Sequence, residues 1–188
     1  MQINESTTDE QIVKFCREED KESFGFLIDR YELKIKCYIN RLVNPNDKED
    51  LNDLTQQVFI NVYKNLNSVD IEKKFSSWIY RIAHNLAVNW LKAKKEKISI
   101  DASDILVGTL ASDIDIKKDL LDKELKEEIN SAINDLPDKF KEPFILKYFE
   151  GLSYDEISEI LKKPKNTIGT MISRAKQQLK KKLVNIYE

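Results

Sequence analysis

Apolar residues recur every three to four positions along most of this chain, the spacing that places side chains on one face of an α-helix. The pattern first runs through Phe24, Leu27, Tyr31, Ile35 and Tyr38. Only four Gly and four Pro are distributed over 188 residues, so the sequence has little of the turn chemistry that a many-stranded sheet requires. The chain is therefore predicted to be all-α.

Breaks in this pattern predict where the N-terminal helices begin and end. A short helix is expected at residues 9–19 with Thr7 or Thr8 as its cap, and the first long helix is expected to end before Asn44-Pro45. Two more helices should flank a polar loop at residues 67–74. Their expected inward-facing residues are Leu51, Leu54, Val58, Val62 and Leu66 in one helix, and Trp78, Ile82, Leu86 and Leu91 in the other.

The helical pattern is lost between residues 98 and 116, where Ser, Asp, Ala and Gly accumulate as in a flexible linker. This segment divides the chain into two predicted helical domains, residues 1–97 and residues 117–188. Helical spacing resumes at Ile116 and stops at Leu136-Pro137. The next helix, ending at Gly151, contains Pro143, which predicts a kink or a late helix start.

The C-terminal part of the second domain has the pattern of a helix-turn-helix. Ser153 and Glu156 are spaced as a capping box before a short helix, and Lys162-Lys163-Pro164 predicts a turn. The last helix should face inward with Ile168, Ile172, Ala175, Leu179 and Leu183. The second helix of such a unit can lie in the major groove of DNA.

Charge is unevenly distributed, although the net charge is only −2. Residues 162–182 contain eight Lys or Arg and no Asp or Glu, and a second basic cluster comprises Lys92, Lys94, Lys95 and Lys97. The absence of acids over the last helix favours contact with phosphates. For each cluster the alternative is an ordinary solvated helix face.

Aromatic, cationic and amide side chains are interleaved in the third long helix. They are Phe75, Trp78, Tyr80, Arg81, His84, Asn85 and Trp90. This mixture suits single-stranded nucleic acid, in which unstacked bases lie on rings and phosphates meet cations. Core packing is the favoured alternative for Trp78, whereas Phe75 and Tyr80 stay open between the two roles.

Few residues support an enzyme or a metal protein. His84 is the single histidine, and no Gly-rich phosphate loop or nucleophile elbow occurs. Cys16 and Cys37 have no metal-ligand spacing and are expected to be buried thiols. We therefore predict no catalytic residue, metal or cofactor. Neither a long apolar run nor a leader-like N-terminus is present, which predicts a cytoplasmic protein.

Several ordered motifs resemble those of extracytoplasmic-function (ECF) sigma factors. Residues 75–91, FSSWIYRIAHNLAVNWL, resemble the family signature F-x-x-W-L-Y-R-I-A-x-N-x-A, and residues 53–60, DLTQQVFI, resemble its core-binding helix. LPDKF at 136–140, KYFEGLSYDEI at 147–157 and the run at 164–174 follow the order of the family's second domain. The resemblance covers about residues 20–183.

This resemblance implies a division of labour between the two domains. The first, called region 2, would bind RNA polymerase and open the minus 10 element, and the second, called region 4, would read the minus 35 element. Core RNA polymerase and promoter DNA are the implied partners, and an anti-sigma factor is a further partner that the family allows.

The family pattern also implies three sets of site residues. The residues implied in core-polymerase binding are Asp50, Asp53, Leu54, Gln56 and Gln57. Those implied near the minus 10 element are Asn67, Lys73, Lys74, Phe75, Tyr80, Arg81 and Asn85. Those implied near the minus 35 element are Lys165, Asn166, Thr167, Thr170, Met171, Ser173, Arg174 and Lys176.

Some positions depart from the family pattern. Asn52 and Gln57 stand where glutamates are usual, so the polymerase contact is expected to depend more on hydrogen bonds. Asn166 replaces a usual Gly, and Gly169 and Met171 replace common cations, which predicts fewer cationic DNA contacts. The alternative function is a helix-turn-helix regulator that acts without polymerase, which would leave the first domain without a role.

Overall fold

All secondary structure in the described part of the chain is helical. The computed structural model describes residues 3–4, 6–45, 47–100 and 128–187, and only the backbone of residues 95–100 and 184–187. The α-helices are α1 (Asp9–Glu18), α2 (Phe24–Val43), α3 (Lys48–Lys64), α4 (Phe75–Ile100), α5 (128–134), α6 (Asp138–Tyr148), α7 (Tyr154–Leu161) and α8 (Lys165–Tyr187). Two 3-10 helices lie at Lys21–Ser23 and Leu66–Ser68. The predicted all-α class is confirmed.

The chain forms two compact units, one built on α1 to α4 and the other on the helices after residue 127. α4 continues to Ile100, so the first three residues of the predicted linker, 98–100, are helical. No Gly or Pro stops the helix at these positions. The rest of the predicted linker and the start of the helix after it, residues 101–127, lie outside the described residues.

α2 supplies the central stripe of the N-terminal core. Leu27, Ile35 and Tyr38 are fully buried, and Tyr31 is nearly so, as the helical spacing predicts. α3 contributes Leu54, Val58, Phe59 and Val62 to the same core. Burial of each large apolar side chain contributes about 1.5–3 kcal/mol to the free energy of unfolding.

The buried face of α4 differs from the predicted one. Trp78, Ile82 and Leu86 were expected in the core but are only half-buried. The buried residues are instead Phe75, Ile79, Tyr80, Ala83 and Ala87. Because apolar residues occur on both faces of α4, periodicity alone could not identify the inner face. The two alanines allow α4 to approach its neighbours closely, which the larger side chains would prevent.

Polar contacts attach α1 to α2. The expected cap is confirmed, because Thr8 Oγ1 accepts from the Gln11 amide and Gln11 Oε1 accepts from the Thr8 amide. The Asp9 carboxylate accepts from Arg30 Nη1 at 2.7 Å and from the Tyr31 hydroxyl at 2.6 Å. Burial, together with the hydrogen bond to Asp9, raises the pKa of Tyr31, so the hydroxyl stays protonated and continues to donate.

The C-terminal unit contains the predicted helix-turn-helix. Its fully buried residues include Ile145, Leu146, Ile157, Ile160, Ile168, Ile172 and Ala175. The capping box of α7 is confirmed, because Ser153 Oγ accepts from the Glu156 amide and Glu156 Oε2 accepts from the Ser153 amide. Lys162 has a φ of 51°, a left-handed conformation that reverses the chain between α7 and α8.

Pro143 lies inside α6 and is buried. α6 begins at Asp138 and continues through Pro143 to Tyr148, so the predicted late start is wrong. Proline has no backbone N–H, and the Lys139 carbonyl four residues earlier therefore lacks its usual helical donor. The pyrrolidine ring contributes apolar surface to the core instead.

The two cysteines are both described, and neither forms a disulfide. Cys16 is buried as expected, and burial raises the pKa of its thiol, whereas Cys37 is only half-buried. Within the described residues, no helix has the length and apolar character needed to cross a membrane. Likewise, no group of His, Cys, Asp or Glu in that part of the chain could hold a metal ion.

Candidate polymerase and nucleic-acid interfaces

The outer face of α3 presents polar side chains in its first half. Asp53, Gln56 and Gln57 are exposed, and Asp50 is half-buried at the start of the helix. Gln57 Nε2 donates to Asn61 Oδ1 at 3.4 Å, which leaves most of the hydrogen-bonding capacity of these groups available to a partner. We call this set of residues, 50, 53, 56 and 57, the α3 polar face.

Leu54 does not belong to this exposed face. It is 8% exposed and packs in the core of the N-terminal unit, so it lies beneath the predicted polymerase contact. Two apolar residues that sequence reasoning missed extend the outer side of α3 instead: Ile60 is 44% exposed and Tyr63 is 47% exposed. Their spacing from Gln56, four and seven residues, was the signal that could have identified them.

The loop between α3 and α4, residues 67–74, has a defined backbone. Leu66 and Val69 are buried and anchor its first part. The Asp70 carboxylate accepts from the Glu72 amide at 3.1 Å, and the Asp70 carbonyl accepts from the Lys73 amide at 3.1 Å. We call this segment the 67–74 loop.

The 67–74 loop presents both signs of charge. Asn67, Lys73 and Lys74, the residues implied near the minus 10 element, are exposed, but Asp70 and Glu72 are exposed beside them. The two acids offset the two lysines, so the loop has little net attraction for a DNA backbone. It is better suited to contacting a base than to neutralising phosphates.

Phe75 and Tyr80 cannot stack on a base in this structure. Phe75 is 0% exposed and its ring lies 5.5 Å from that of Tyr31, while Tyr80 is 2% exposed and packs 5.3 Å from Tyr38. Both pairs are edge-to-face, a favourable arrangement for buried rings. Contact of these two residues with DNA stays a prediction, and in this structure they lie beneath the surface.

The exposed side of α4 carries the remaining residues of this set. Arg81 is half-buried and Asn85 is exposed, four residues apart on one side of the helix. Trp78 lies one turn earlier and is half-buried, with its ring 5.9 Å from Phe75. Trp78 therefore packs against the core, and part of its ring remains accessible to a partner.

α8 and α7 together form a shallow concavity of about 580 Å³. Its lining residues are Tyr154, Lys165, Asn166, Gly169, Thr170, Ser173, Arg174 and Gln177. The seven contributed by α8 repeat at helical spacing and therefore lie on one face. No acidic residue lines this site, which we call the α8 concavity.

Five of the eight residues implied near the minus 35 element lie in the α8 concavity. They are Lys165, Asn166, Thr170, Ser173 and Arg174. Thr167 and Met171 are half-buried outside the lining, and Lys176 is exposed outside it. Sequence reasoning missed Tyr154 and Gln177, although Gln177 continues the spacing of Asn166, Thr170 and Ser173.

Several cations of the basic cluster are engaged within the chain. Lys165 Nζ lies 2.8 Å from Asp155 Oδ2 in an exposed ion pair, and Lys182 pairs with Asp135. Lys176 Nζ lies 4.8 Å from the centre of the Tyr148 ring, and a hydrogen bond with Tyr148 raises the pKa of its ammonium group. Of the two cations that line the α8 concavity, Lys165 and Arg174, the first is held by Asp155.

Comparison with known proteins now decides the family. The model of "Sigma-70 region 2" matches residues 27–97, and that of "Sigma-70, region 4" matches residues 126–179. An ECF RNA polymerase sigma-E factor of Haemophilus influenzae is 33% identical over 186 residues, covering 95% of this chain and 97% of the relative. The chain belongs to the ECF sigma factors. Sigma factor SigW of Bacillus subtilis is 36% identical over 182 residues, covering 91% of this chain and 94% of that one.

Two solved structures have the same fold as this sigma factor. CnrH, in complex with the cytosolic domain of CnrY, has a TM-score of 0.68 and 17% identity, covering 94% of this chain and 97% of that chain. The sigma factor RpoE of Bartonella quintana, in complex with the anti-sigma factor NepR, has a TM-score of 0.72 and 18% identity, covering 86% and 97%. The α3 polar face and the 67–74 loop lie in the region 2 match, and all lining residues of the α8 concavity lie in the region 4 match.

Gly169, which departs from the family pattern, is not required by packing. A Cβ atom at this position would meet Tyr154 Cε2 at 3.7 Å, an ordinary van der Waals distance. Replacing Gly169 by Ala should therefore increase the free energy of unfolding by about 0.5–1 kcal/mol, because Gly is unfavourable inside a helix. Urea denaturation monitored by circular dichroism would measure the change.

Gly151 provides the matched control for the Gly169→Ala experiment. It has a φ of 70°, so Gly151→Ala should destabilise the C-terminal unit even though its Cβ would meet no other atom within 4 Å. An unfolding free energy of Gly169→Ala at or below that of the unaltered protein would show that Gly169 is needed for close packing.

Proposed function

We propose that this sigma factor performs the two tasks of its family with the three surfaces described above. As an ECF sigma factor it binds core RNA polymerase and directs promoter-specific initiation of transcription. In our proposal the α3 polar face binds polymerase, the 67–74 loop with Arg81 and Asn85 contacts the opened minus 10 element, and the α8 concavity reads the minus 35 element. The α8 concavity is the main support for this proposal. Its lining contains no acid and comes almost entirely from one face of α8, which suits the major groove of DNA.

The α3 polar face supports a polymerase contact that combines charge with hydrogen bonds. Asp50 and Asp53 supply negative charge, which would steer the subunit toward a basic surface. Gln56 and Gln57 can each donate and accept, so they contribute orientation and little long-range attraction. The exposed Tyr63 offers the kind of amphipathic ring that interface centres favour.

The minus 10 contact is proposed to combine capture of a base with stacking. An unpaired base can hydrogen-bond to the exposed backbone and amide groups of the 67–74 loop. The accessible part of Trp78 provides a stacking surface beside Arg81 and Asn85. This contact would lower the free energy of the opened strand relative to the duplex, which is how opening is favoured without a catalytic group.

In the α8 concavity, neutral hydrogen-bonding groups outnumber cations. Asn166 and Gln177 can read adenine edges and Arg174 can read guanine, whereas Thr170 and Ser173 accept several bases. The Thr170 hydroxyl donates to the Asn166 carbonyl at 2.9 Å, which fixes its direction. Selectivity is thus proposed to come from hydrogen bonds, with Arg174 supplying most of the positive charge.

A helix-turn-helix regulator that acts without polymerase is not favoured, because the region 2 match covers α2, α3 and most of α4. The proposed role is regulatory, takes place in the cytoplasm where core polymerase works, and needs no catalytic residue. We also propose that an anti-sigma factor can bind this chain. That proposal is supported by RpoE of Bartonella quintana, whose structure was determined with the anti-sigma factor NepR.

Reversing one charge of the α3 polar face should weaken assembly with polymerase. Asp53 is exposed, so Asp53→Lys should leave folding intact while placing a cation where the partner is expected to be basic. Like-charge juxtaposition of this kind costs interfaces enough to lower affinity by about tenfold. Fluorescence anisotropy of labelled sigma factor titrated with core polymerase would measure the affinity.

Asp29 on α2 is exposed and lies outside the proposed surface, so Asp29→Lys is the matched control. It makes the same charge change and should retain the unaltered affinity. Equal affinity of Asp53→Lys and Asp29→Lys for core polymerase would contradict the assignment of the α3 polar face.

A further inference from the structure

Two side chains of α1 hold the beginning and the end of the 67–74 loop. Arg17 Nη2 lies 2.5 Å from the Leu66 carbonyl oxygen and 2.6 Å from that of Val69, and Arg17 Nε also donates to Leu66 at 2.9 Å. At the other end, Glu10 Oε1 accepts from the Phe75 amide at 2.9 Å. These bonds join positions 49 to 65 residues apart in the sequence.

The bond from Glu10 satisfies a backbone amide that the loop cannot satisfy by itself. Arg17 adds donors to the Leu66 carbonyl, which also accepts from the Val69 amide at 3.2 Å, and to the Val69 carbonyl. Phe75 opens α4, and the first amides of a helix have no partner within the helix. Lys74, which precedes it, has no side-chain oxygen to serve as a cap, so the Glu10 carboxylate fills that place from another helix. The planar guanidinium of Arg17 reaches two carbonyls at once, which fixes their separation as well as their direction.

α1 is itself firmly attached to the rest of the N-terminal unit. Ile12 and Val13 are fully buried, and Asp9 is bonded to Arg30 and Tyr31 of α2. The positions of Arg17 and Glu10 are therefore set by the core and not by the loop. The region 2 match begins at residue 27, after α1 has ended.

We infer that Arg17 and Glu10 are positioning residues for promoter opening, which hold the 67–74 loop in the conformation that receives an unpaired base. This inference rests on the proposed function of the loop. A loop held at both ends loses little freedom when it binds, whereas a loose loop must first be ordered. Removing the bonds of either side chain should therefore slow promoter opening, although neither Arg17 nor Glu10 is proposed to contact DNA.

The test uses holoenzyme reconstituted from core polymerase and the full chain, on a promoter that the unaltered holoenzyme transcribes. Arg17→Ala and Glu10→Ala should each slow open-complex formation, followed by permanganate reactivity of the minus 10 element, by about tenfold. They should also weaken binding of a single-stranded non-template minus 10 oligonucleotide. Affinity for core polymerase should be unchanged.

Further comparisons distinguish a role in positioning the 67–74 loop from a general effect on the stability of the protein. Glu10→Gln keeps an oxygen that can accept from the Phe75 amide, so it should restore the opening rate that Glu10→Ala loses. An oligonucleotide lacking the captured base should bind equally to holoenzymes with Arg17 and with Arg17→Ala, because nothing remains for the loop to receive. A merely structural role would lower thermal stability and all these activities together, and that result would overturn the inference.

The triple variant Lys73→Ala, Lys74→Ala and Arg81→Ala tests the proposed role of the 67–74 loop in promoter opening independently of Arg17 and Glu10. If this triple variant is slow in opening while Arg17→Ala and Glu10→Ala open at the unaltered rate, the positioning role is wrong and the loop's role stands. If the triple variant also opens normally and the unaltered holoenzyme does not bind the single-stranded minus 10 oligonucleotide, the loop does not contact the opened strand, and the proposed function fails together with the inference.

Discussion

Replacing Phe75 by Ala should lower the free energy of unfolding of the N-terminal unit by about 3–5 kcal/mol. The ring is 0% exposed and packs against Tyr31 and Trp78, so its removal leaves a cavity at the junction of three side chains. A loss of this size approaches the total stability of many small domains. Thermal and urea unfolding monitored by circular dichroism would measure it.

Phe75→Leu distinguishes the packing role from a DNA-contacting one. Leu preserves most of the buried volume, so the variant should remain folded and should open promoter DNA at nearly the rate of the unaltered holoenzyme. A stable Phe75→Leu protein that binds polymerase but no longer opens the promoter would show that the aromatic ring itself contacts a base.

Arg174→Ala should reduce promoter use by the holoenzyme roughly 5- to 150-fold, corresponding to about 1–3 kcal/mol for one good base contact. Arg174 is exposed in the α8 concavity, among neutral neighbours. Its removal takes away the principal cation of that surface without disturbing the core. Run-off transcription at limiting holoenzyme on promoters with intact and scrambled minus 35 elements would measure the effect.

Lys176 is the control on the same helix. It is exposed but lies over Tyr148, outside the α8 concavity, so Lys176→Ala should reduce promoter use by no more than about threefold. The Arg174→Ala defect should disappear on the scrambled element, since the contact it removes is already absent there. Equal defects in the two variants would mean that α8 contributes only general attraction to phosphates.

Features with local signals were predictable from the sequence. The end of α2 before Asn44, the capping boxes at Thr8 and Ser153, and the turn at Lys162 all depend on neighbouring residues. The polar side of α8 was predictable in part for the same reason, because residues on one helix face follow its period. The set implied by the family pattern ended at Lys176 and so missed Gln177.

Features that depend on contacts between distant segments were not predictable. The inner face of α4 is chosen by what α2 presents to it, since Tyr31 and Tyr38 receive Phe75 and Tyr80. Nothing near Lys74 indicates a cap, because the cap is supplied by a residue of α1. Burial of Phe75 and Tyr80 likewise depends on partners in α2 that lie far from them in the sequence.

The attachment of α1 also determines the order in which the N-terminal unit can be completed during synthesis. This helix leaves the ribosome before α2, α3 and α4, and its partners follow later: Arg30 lies 21 residues after Asp9, and Phe75 lies 65 residues after Glu10. Contacts so distant in sequence form only after the intervening chain has been ordered. α1 is thus synthesised before α2, α3 and α4 but is fixed in place only with them, and until Phe75 has emerged Glu10 cannot support the end of the 67–74 loop.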